Sequence, residues 1–230
     1  MDTTVYQQLA TDKLGGAFTN LELLITALTH RSYLNEHRST VNEHNERLEF
    51  LGDAVLELVV TEFLYANYTE PEGILTNWRS SLVRTESIGA AATRLGLEAL
   101  LRLSRGEKRG TDRARAQILA NSFEAVTGAI YLDKGYEAAK MFITENILST
   151  FDDILKSGSW MDPKSHLQEV VQSQGGSTPQ YKVLSEEGPD HDKIFSVGVY
   201  VDGKLLGQGT GPSKQAAQVA AATTALKQYS

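Results

Sequence analysis

Three carboxylates recur at helical spacing within the segment Asn45–Glu57. Glu46, Glu49 and Asp53 are separated by three and four residues, so they share one face of a helix. A set of apolar residues falls on the opposite face and is expected to be buried: Leu48, Leu51, Val55, Leu58 and Val59. Like charges at this spacing repel, whereas a hard divalent cation such as Mg²⁺ would bind them. The segment therefore predicts either a metal site or a solvated acidic face.

Two residues in this helix do not fit a solvated surface. Phe50 lies beside the carboxylates rather than among the apolar positions, which suggests a buried contact with a second subunit. Gly52 in mid-helix costs about 1 kcal/mol relative to Ala, so it requires a reason such as close packing.

The motif Asn45–Val55 resembles the active-site motif of the ribonuclease III family, which are double-strand-specific RNA endonucleases. The resemblance implies an all-α catalytic and dimerisation domain. It also makes Glu46, Glu49 and Asp53 site residues, and it makes Phe50 the aromatic plug of a homodimer. After Pro71, the Glu72-Gly73 pair reads as a turn. The same resemblance implies that Glu72 is an accessory catalytic residue. The alternative is that Glu72 is simply an exposed residue of the turn.

A second segment, Ile118–Leu132, is an apolar helix with Asn121 and Glu124 one turn apart. It resembles the second metal-binding helix of the family, whose members usually carry Asp where this chain has Asn121. An amide oxygen can bind a hard cation but brings no charge, so we expect weaker metal affinity. The expected metal ligands are Glu49, Asp53, Asn121 and Glu124, and the expected catalytic residues are Asp53, Glu124, Glu46 and Glu72.

These groups imply metal-assisted hydrolysis of phosphodiester bonds. Carboxylate-held Mg²⁺, for which Mn²⁺ can substitute, would activate water and neutralise charge on the leaving oxygen. No nucleotide cofactor is expected. The resemblance adds 5′-phosphate and 3′-hydroxyl ends, a short 3′ overhang, and a role in processing ribosomal and other RNA. One chain offers one carboxylate cluster, so cutting both strands in this way requires a homodimer.

Cations concentrate in one segment of the first half, Arg102–Arg115, where Gly106 and Gly110 predict a loop. Within it, Arg109 and Arg113 are candidates for clamping RNA phosphates. The alternative is a solvated loop that offsets an acidic domain.

The last seventy residues change to an α-β-β-β-α pattern. The predicted elements are a helix from Pro163 to Gln174, strands at Gln180–Glu186, Lys193–Val201 and Lys204–Thr210, and a helix at Ser213–Gln228. The Asp202-Gly203 pair predicts a hairpin. This order resembles the double-stranded-RNA-binding domain, which reads A-form shape rather than sequence. The resemblance implies these RNA contacts: Gln168, Glu169, Gly188, Pro189, Asp190, His191, Ser213 and Lys214. Family members often have adjacent basic residues where Lys214 is followed by Gln215, so we expect weak binding by this domain alone.

The charge of the chain argues against binding nucleic acid by bulk electrostatics. The net charge is −7, with 16 Lys and Arg against 22 Asp and Glu before Asp162 and 6 against 7 from there onward. RNA binding must then depend on local patches, a helix N-terminus and metal ions. There are no cysteines, which excludes disulfides and thiol nucleophiles and fits a cytoplasmic protein. We expect no signal peptide and no membrane partner, because apolar runs are short.

Two hypotheses remain open from the sequence. The first is a multidomain, dimeric Mg²⁺-dependent endoribonuclease, with residues 1–155 catalytic, 156–161 a flexible linker and 162–230 binding duplex RNA. The second is a non-catalytic duplex-RNA binder whose active site is attenuated at Asn121.

Overall fold

The structure, a computed structural model, describes residues 3–37, 39, 41–158, 160–189 and 193–229. The chain divides into two compact units, residues 1–154 and 155–230. No helix in the described part of the chain combines the length and the apolar character needed to cross a membrane.

The first unit is built of helices, apart from an isolated β-bridge between Thr29 and Arg102. Its helices are α1 (Thr4–Lys13), α2 (Leu21–Ala27), α3 (Arg31–Glu36), α4 (Glu46–Asn67), α5 (Glu72–Leu82), α6 (Thr85–Leu95), α7 (Asp112–Lys134), α8 (Tyr136–Asn146) and α9 (Phe151–Ser157). Short 3₁₀ turns lie at Leu97–Leu100, Glu107–Arg109 and Leu148–Thr150. Side chains cap several of these helices. Asn20 caps α2 by accepting a hydrogen bond from the amide of Glu22, and Thr111 caps α7 by accepting one from the amide of Ala114.

The long helices α4 and α7 form the centre of the core. In α7 every residue from Ala125 to Ile130 is buried. In α4 the buried set includes Leu48, Val55 and Val59, as expected, but Leu58 is 57% exposed. The prediction for Leu58 was wrong because the buried face is centred one position further round the helix, on Leu56 and Val60.

The apolar residues between Leu75 and Leu101 predict a helix with its end at Gly96, but in the structure this stretch is interrupted. Helix α5 ends at Leu82 and α6 begins at Thr85, because Arg84 adopts an extended conformation. The hydroxyl of Ser87 donates to the carbonyl of Ser81 and so satisfies the end of α5 without Gly or Pro. The expected helix end at Gly96 is confirmed, since Gly96 has φ +75° at the C-cap of α6.

The boundary between the two units falls within α9, so the predicted linker 156–161 begins inside a helix. Lys156 and Ser157 are the last two residues of α9. Acidic residues in the first turn of α9 and Lys156 in its last turn favour the helix through its dipole. Trp160 lies in a turn, and Ser159 lies outside the described residues.

The second unit is a three-stranded antiparallel sheet with two helices. The elements are α10 (Pro163–Ser173), β1 (Gln180–Glu187), β2 (Ile194–Val201), β3 (Lys204–Gly211) and α11 (Lys214–Leu226), and the sheet order is β1-β2-β3. Val197 and Val199 of β2 pack with buried residues of both helices. The predicted hairpin is confirmed, because Asp202 and Gly203 both have positive φ, as a two-residue turn of type I′ requires. The predicted fold class, a helical domain followed by an α-β-β-β-α domain, is confirmed.

Candidate active site and RNA-binding surfaces

Helices α4 and α7 are in backbone contact where two glycines meet the opposite helix. A Cβ atom on Gly52 would lie 1.7 Å from the carbonyl oxygen of Glu124, and one on Gly128 would lie 2.3 Å from that of Leu48. Any larger residue at either position would push the helices apart. Close packing, the predicted reason for Gly52, is thus confirmed. The role of its counterpart Gly128 was missed, although a glycine inside an apolar helix was visible in the sequence.

This contact brings carboxylates of both helices together. Glu49 and Asp53 lie one turn apart on α4, and Glu124 on α7 is half-buried beside them. Burial, and then the charges of Asp53 and Glu49, raise the pKa of Glu124 to about 7. Burial and the charge of Glu46 also raise the pKa of Glu49. Within the described residues, no Lys or Arg forms an ion pair with Glu49, Asp53 or Glu124.

The Asn121 side chain lies between Gln117 and Glu49. Its Oδ1 accepts a hydrogen bond from Nε2 of Gln117 at 2.7 Å, and its amide opposes the rise in the pKa of Glu49, as a donor near a carboxylate does. Because a carboxylate accepts, the amide turns its N–H group toward Glu49. Asn121 is thus beside the other site residues, but the group that it presents to Glu49 is a donor. The role of Gln117 was missed, although its spacing of four residues from Asn121 was available in the sequence.

The donor set suits a hard divalent cation in an open site. Three carboxylates repel one another, and oxygen is the ligand atom that Mg²⁺ prefers. In the part of the chain that the structure describes, no three His, Cys, Asp or Glu side chains converge closely enough to enclose a metal ion. Mg²⁺ commonly keeps several waters and uses one or two carboxylates together with substrate phosphates, so a closed protein cage is not required.

Glu46 lies at the edge of this cluster. It is the first residue of α4, and its Oε1 lies 3.5 Å from the guanidinium of Arg31. Its Oε2 lies 3.9 Å from Nδ1 of His44. Glu46 therefore contributes negative charge beside Glu49 while its own side chain is turned toward basic groups.

Glu72 is not brought to the cluster within one chain. It begins α5 instead of lying in a turn, and it lines a groove with Thr61 and Tyr65 of α4. Thr61 is eight residues beyond Asp53, which corresponds to about 12 Å along the helix. The carboxylate in the first turn of α5 is favoured by the helix dipole, which explains why the helix begins there.

Phe50 is a large apolar side chain exposed on the surface of α4. It is 82% exposed, and with Leu51 and Leu132 it lines an open groove of about 840 Å³ that also includes Leu23 and Leu48. An exposed aromatic ring beside an apolar groove is a surface that association would bury.

The basic segment Arg102–Arg115, which runs into the start of α7, contains both structural and exposed cations. The guanidinium of Arg102 lies 4.5 Å from the ring centre of Tyr33, and Arg115 forms an ion pair of 3.3 Å with Glu98. Arg109, in a 3₁₀ turn, and Arg113 are exposed. Arg113 lies in the first turn of α7 rather than in a loop, because Thr111 caps the helix two residues earlier.

In the second unit, α10 presents a polar face. Gln168 and Glu169 are exposed, while their neighbour Leu167 is buried. Gly188 follows β1 with φ +94°, and Pro189 is exposed. Asp190 and His191, predicted to contact RNA in the same loop, lie outside the described residues.

The N-terminus of α11 carries the remaining predicted contacts. Ser213 caps the helix by accepting a hydrogen bond from the amide of Ala216 at 3.1 Å. Nζ of Lys214 lies 3.0 Å from a carboxylate oxygen of Glu186 and 5.6 Å from the ring centre of Phe195. Nothing in the sequence indicated the Glu186 contact, because the two residues are distant in the chain.

Comparisons with known proteins agree with these two units. The Ribonuclease-III-like family matches residues 20–151, and the double-stranded RNA binding motif matches residues 163–229. Ribonuclease 3 of Enterococcus faecalis is 43% identical over 228 residues, covering 99% of this chain and 98% of that protein. Ribonuclease 3 of Pelotomaculum thermopropionicum is 46% identical over 219 residues, covering 95% and 91%.

Solved structures show the same nuclease fold. The nuclease domain of ribonuclease III from Campylobacter jejuni aligns with a TM-score of 0.55 at 36% identity, covering 66% of this chain and 97% of that one. A second structure of that domain has a TM-score of 0.54 at 37% identity, covering 62% and 98%, and is described as flexible in a region involved in dimer formation.

Fold, carboxylate cluster and RNA-binding motif together define a two-part nuclease of double-stranded RNA. The chain belongs to the ribonuclease III family and is a double-strand-specific endoribonuclease.

Proposed function

We propose that the chain cuts duplex RNA with the help of Mg²⁺ bound between α4 and α7, and that Mn²⁺ can replace Mg²⁺. The observation that carries the proposal is the meeting of Glu49, Asp53 and Glu124 at the glycine contact, with the pKa of Glu124 raised to about 7 by burial and by the other two charges. A divalent cation would remove this repulsion. Bound there, it would supply an activated water and neutralise charge on the leaving oxygen.

The protein's own groups orient the reaction. Glu49, Asp53 and Glu124 would hold the cation, and Asn121 would steady Glu49 through its N–H group. Glu46 adds negative charge at the edge of the site. Arg109 and Arg113 are exposed on the same helix–loop region and would contact phosphates of the substrate. In the second unit, Gln168 and Glu169 of α10, the loop beginning at Gly188, and the N-terminus of α11 would bind the duplex.

We infer further that the active form is a homodimer in the cytoplasm. Phe50 and its groove support a self-complementary interface, because a two-fold axis would place each ring against the groove of the other chain. Two sites, one for each strand, would leave 5′-phosphate and 3′-hydroxyl ends with a short 3′ overhang. Glu72, distant from the cluster of its own chain, keeps an accessory role in this proposal. Precursors of ribosomal and other RNAs are the proposed substrates.

Cleavage of an end-labelled RNA duplex across a Mg²⁺ series tests the proposal. The chain should cut only with a divalent cation, and Glu124→Gln should abolish cleavage while leaving binding in EDTA unchanged. Cleavage by Glu124→Gln at the parent's rate would refute the metal assignment. Binding without cleavage until Asn121 is changed to Asp would favour a duplex-RNA binder with an attenuated site.

A further inference from the structure

One carboxylate in the second unit lies against two cations near the predicted phosphate-binding end of α11. The Glu186 carboxylate is 3.0 Å from Nζ of Lys214 and 3.9 Å from Nζ of Lys193. Lys214 is the first residue of α11, and Lys193 immediately precedes β2. Glu186 therefore joins the helix N-terminus to the strand that follows the loop beginning at Gly188.

The site that Glu186 occupies is one that suits an anion. The N-terminus of α11 carries partial positive charge, and Lys214 adds a full one. The ring of Phe195 lies 5.6 Å from the Lys214 ammonium and favours a cation there. A carboxylate bound to these groups has the same charge sign and the same acceptor chemistry as an RNA phosphate oxygen.

The contact matters because cations are scarce in this unit. From Asp162 onward the chain has 6 Lys and Arg, and Glu186 pairs with two of them. Another, Lys164, donates to Gln218 at 2.8 Å and lies over the ring of Tyr181. A phosphate that approaches α11 thus meets a lysine that is already neutralised.

We propose that Glu186 is an internal competitor of RNA phosphate, which holds Lys214 and Lys193 in the free protein and lowers affinity for duplex RNA. Binding must either displace the carboxylate or proceed without the phosphate contact of Lys214. Glu186 thereby sets both the affinity and the salt dependence of the second unit. The inference rests on the proposed phosphate contact of Lys214.

The neighbouring residue Glu187 provides a matched control. It carries the same charge on the same strand, but successive side chains of a strand point to opposite faces. Among the described residues Glu187 forms no ion pair. Glu187→Gln therefore changes the net charge of the chain as Glu186→Gln does, without releasing Lys214.

The experiment measures binding of the full-length chain to a fluorescent RNA duplex of about 20 base pairs, longer than the roughly 16 that one such domain spans. EDTA prevents cleavage, and anisotropy titrations are repeated across a KCl series. We expect Glu186→Gln to bind about three- to ten-fold more tightly at low salt, as released surface ion pairs allow. The slope of the logarithm of the binding constant against the logarithm of the KCl concentration should steepen by about one unit for each further phosphate that a released lysine neutralises. Glu187→Gln should change affinity by less than about two-fold.

A double-mutant cycle with Lys214→Gln locates the effect. Lys214→Gln alone should weaken binding and flatten the salt slope, and in its presence the increase in affinity from Glu186→Gln should shrink to less than half. Lys214→Gln without effect would mean that the phosphate contact itself is wrong. If Lys214→Gln weakens binding but Glu186→Gln matches Glu187→Gln, or weakens binding, the competitor role is wrong. Glu186→Ser serves in place of Glu186→Gln if melting by circular dichroism shows that the latter is unfolded.

Discussion

Replacing Glu124 by Gln should stabilise the metal-free protein at neutral pH while it abolishes cleavage. Gln has nearly the same shape as Glu but carries no charge to repel Asp53 and Glu49. The expectation follows from the pKa of Glu124, which burial and then those two charges raise from 4.5 to about 7. A carboxyl group whose pKa is higher in the folded chain than in the unfolded chain lowers the free energy of unfolding at pH values where the unfolded chain ionises it.

The direction of the pH dependence follows from proton binding. Below about pH 4.5 the carboxyl is protonated in both the folded and the unfolded chain. Between the two pKa values the unfolded chain binds fewer protons, so the free energy of unfolding falls as pH rises, and it levels off above about pH 7. The rise in the pKa of Glu124 corresponds to a loss of at most about 3 kcal/mol in the free energy of unfolding. Because Glu124 is partly exposed, solvent screening reduces this to about 1–2 kcal/mol.

Calorimetric unfolding of both proteins in EDTA, at about pH 4.5 and about pH 7.5, measures the effect. The difference in stability between Glu124→Gln and the parent should grow by about 1–2 kcal/mol between these two pH values. Mg²⁺ should then stabilise the parent by mass action and the variant much less. An unchanged difference across the pH range, with equal stabilisation of both proteins by Mg²⁺, would refute the placement of Glu124 in a repulsive, metal-binding cluster.

Three further substitutions test other parts of the site. Asn121→Asp adds a charged ligand, so the Mg²⁺ concentration for half-maximal cleavage should fall several-fold, and stability in EDTA should fall; an unchanged Mg²⁺ profile would mean that this side chain does not face the cation. Phe50→Ala should shift sedimentation velocity from dimer toward monomer without lowering monomer stability, because the ring is 82% exposed; an unaltered dimer would exclude the ring from the interface. Gly52→Ala should lower the free energy of unfolding by about 3 kcal/mol because its Cβ would overlap the opposite backbone. The control Gly73→Ala, where a Cβ meets nothing within 4 Å, should be neutral or stabilising, and equal effects would contradict the packing argument.

Local sequence patterns predicted the parts of the fold that local rules determine. The turn at Asp202-Gly203 and the helix end at Gly96 are confirmed because positive φ is a property of the residue and its neighbours. The break after Leu82 was missed because a hydrogen bond from Ser87, and no breaking residue, makes it. The exposure of Leu58 was missed because helical spacing alone does not fix the centre of a buried face.

The residues of the candidate site could also be predicted from the sequence, but the contacts between them could not. Helical spacing placed Glu49 and Asp53 on one face, and family resemblance added Glu124. Neither could show that Gln117 binds the Asn121 oxygen and so leaves the N–H group of Asn121 to face Glu49. That orientation depends on a contact between two helices. The pairing of Glu186 with Lys214 was hidden for the same reason, since it joins a strand to a helix far along the chain.

The glycine contact between α4 and α7 also determines how the site behaves during fluctuations. No layer of side chains separates the two backbones, so the helices cannot slide or tilt without losing van der Waals contact along both. The carboxylates therefore sit on the part of the first unit whose amide protons should exchange most slowly, and only with its global unfolding. A cleavage site built there keeps its geometry between turnovers without any help from RNA, and the adaptation to each duplex falls to the exposed arginines and the second unit.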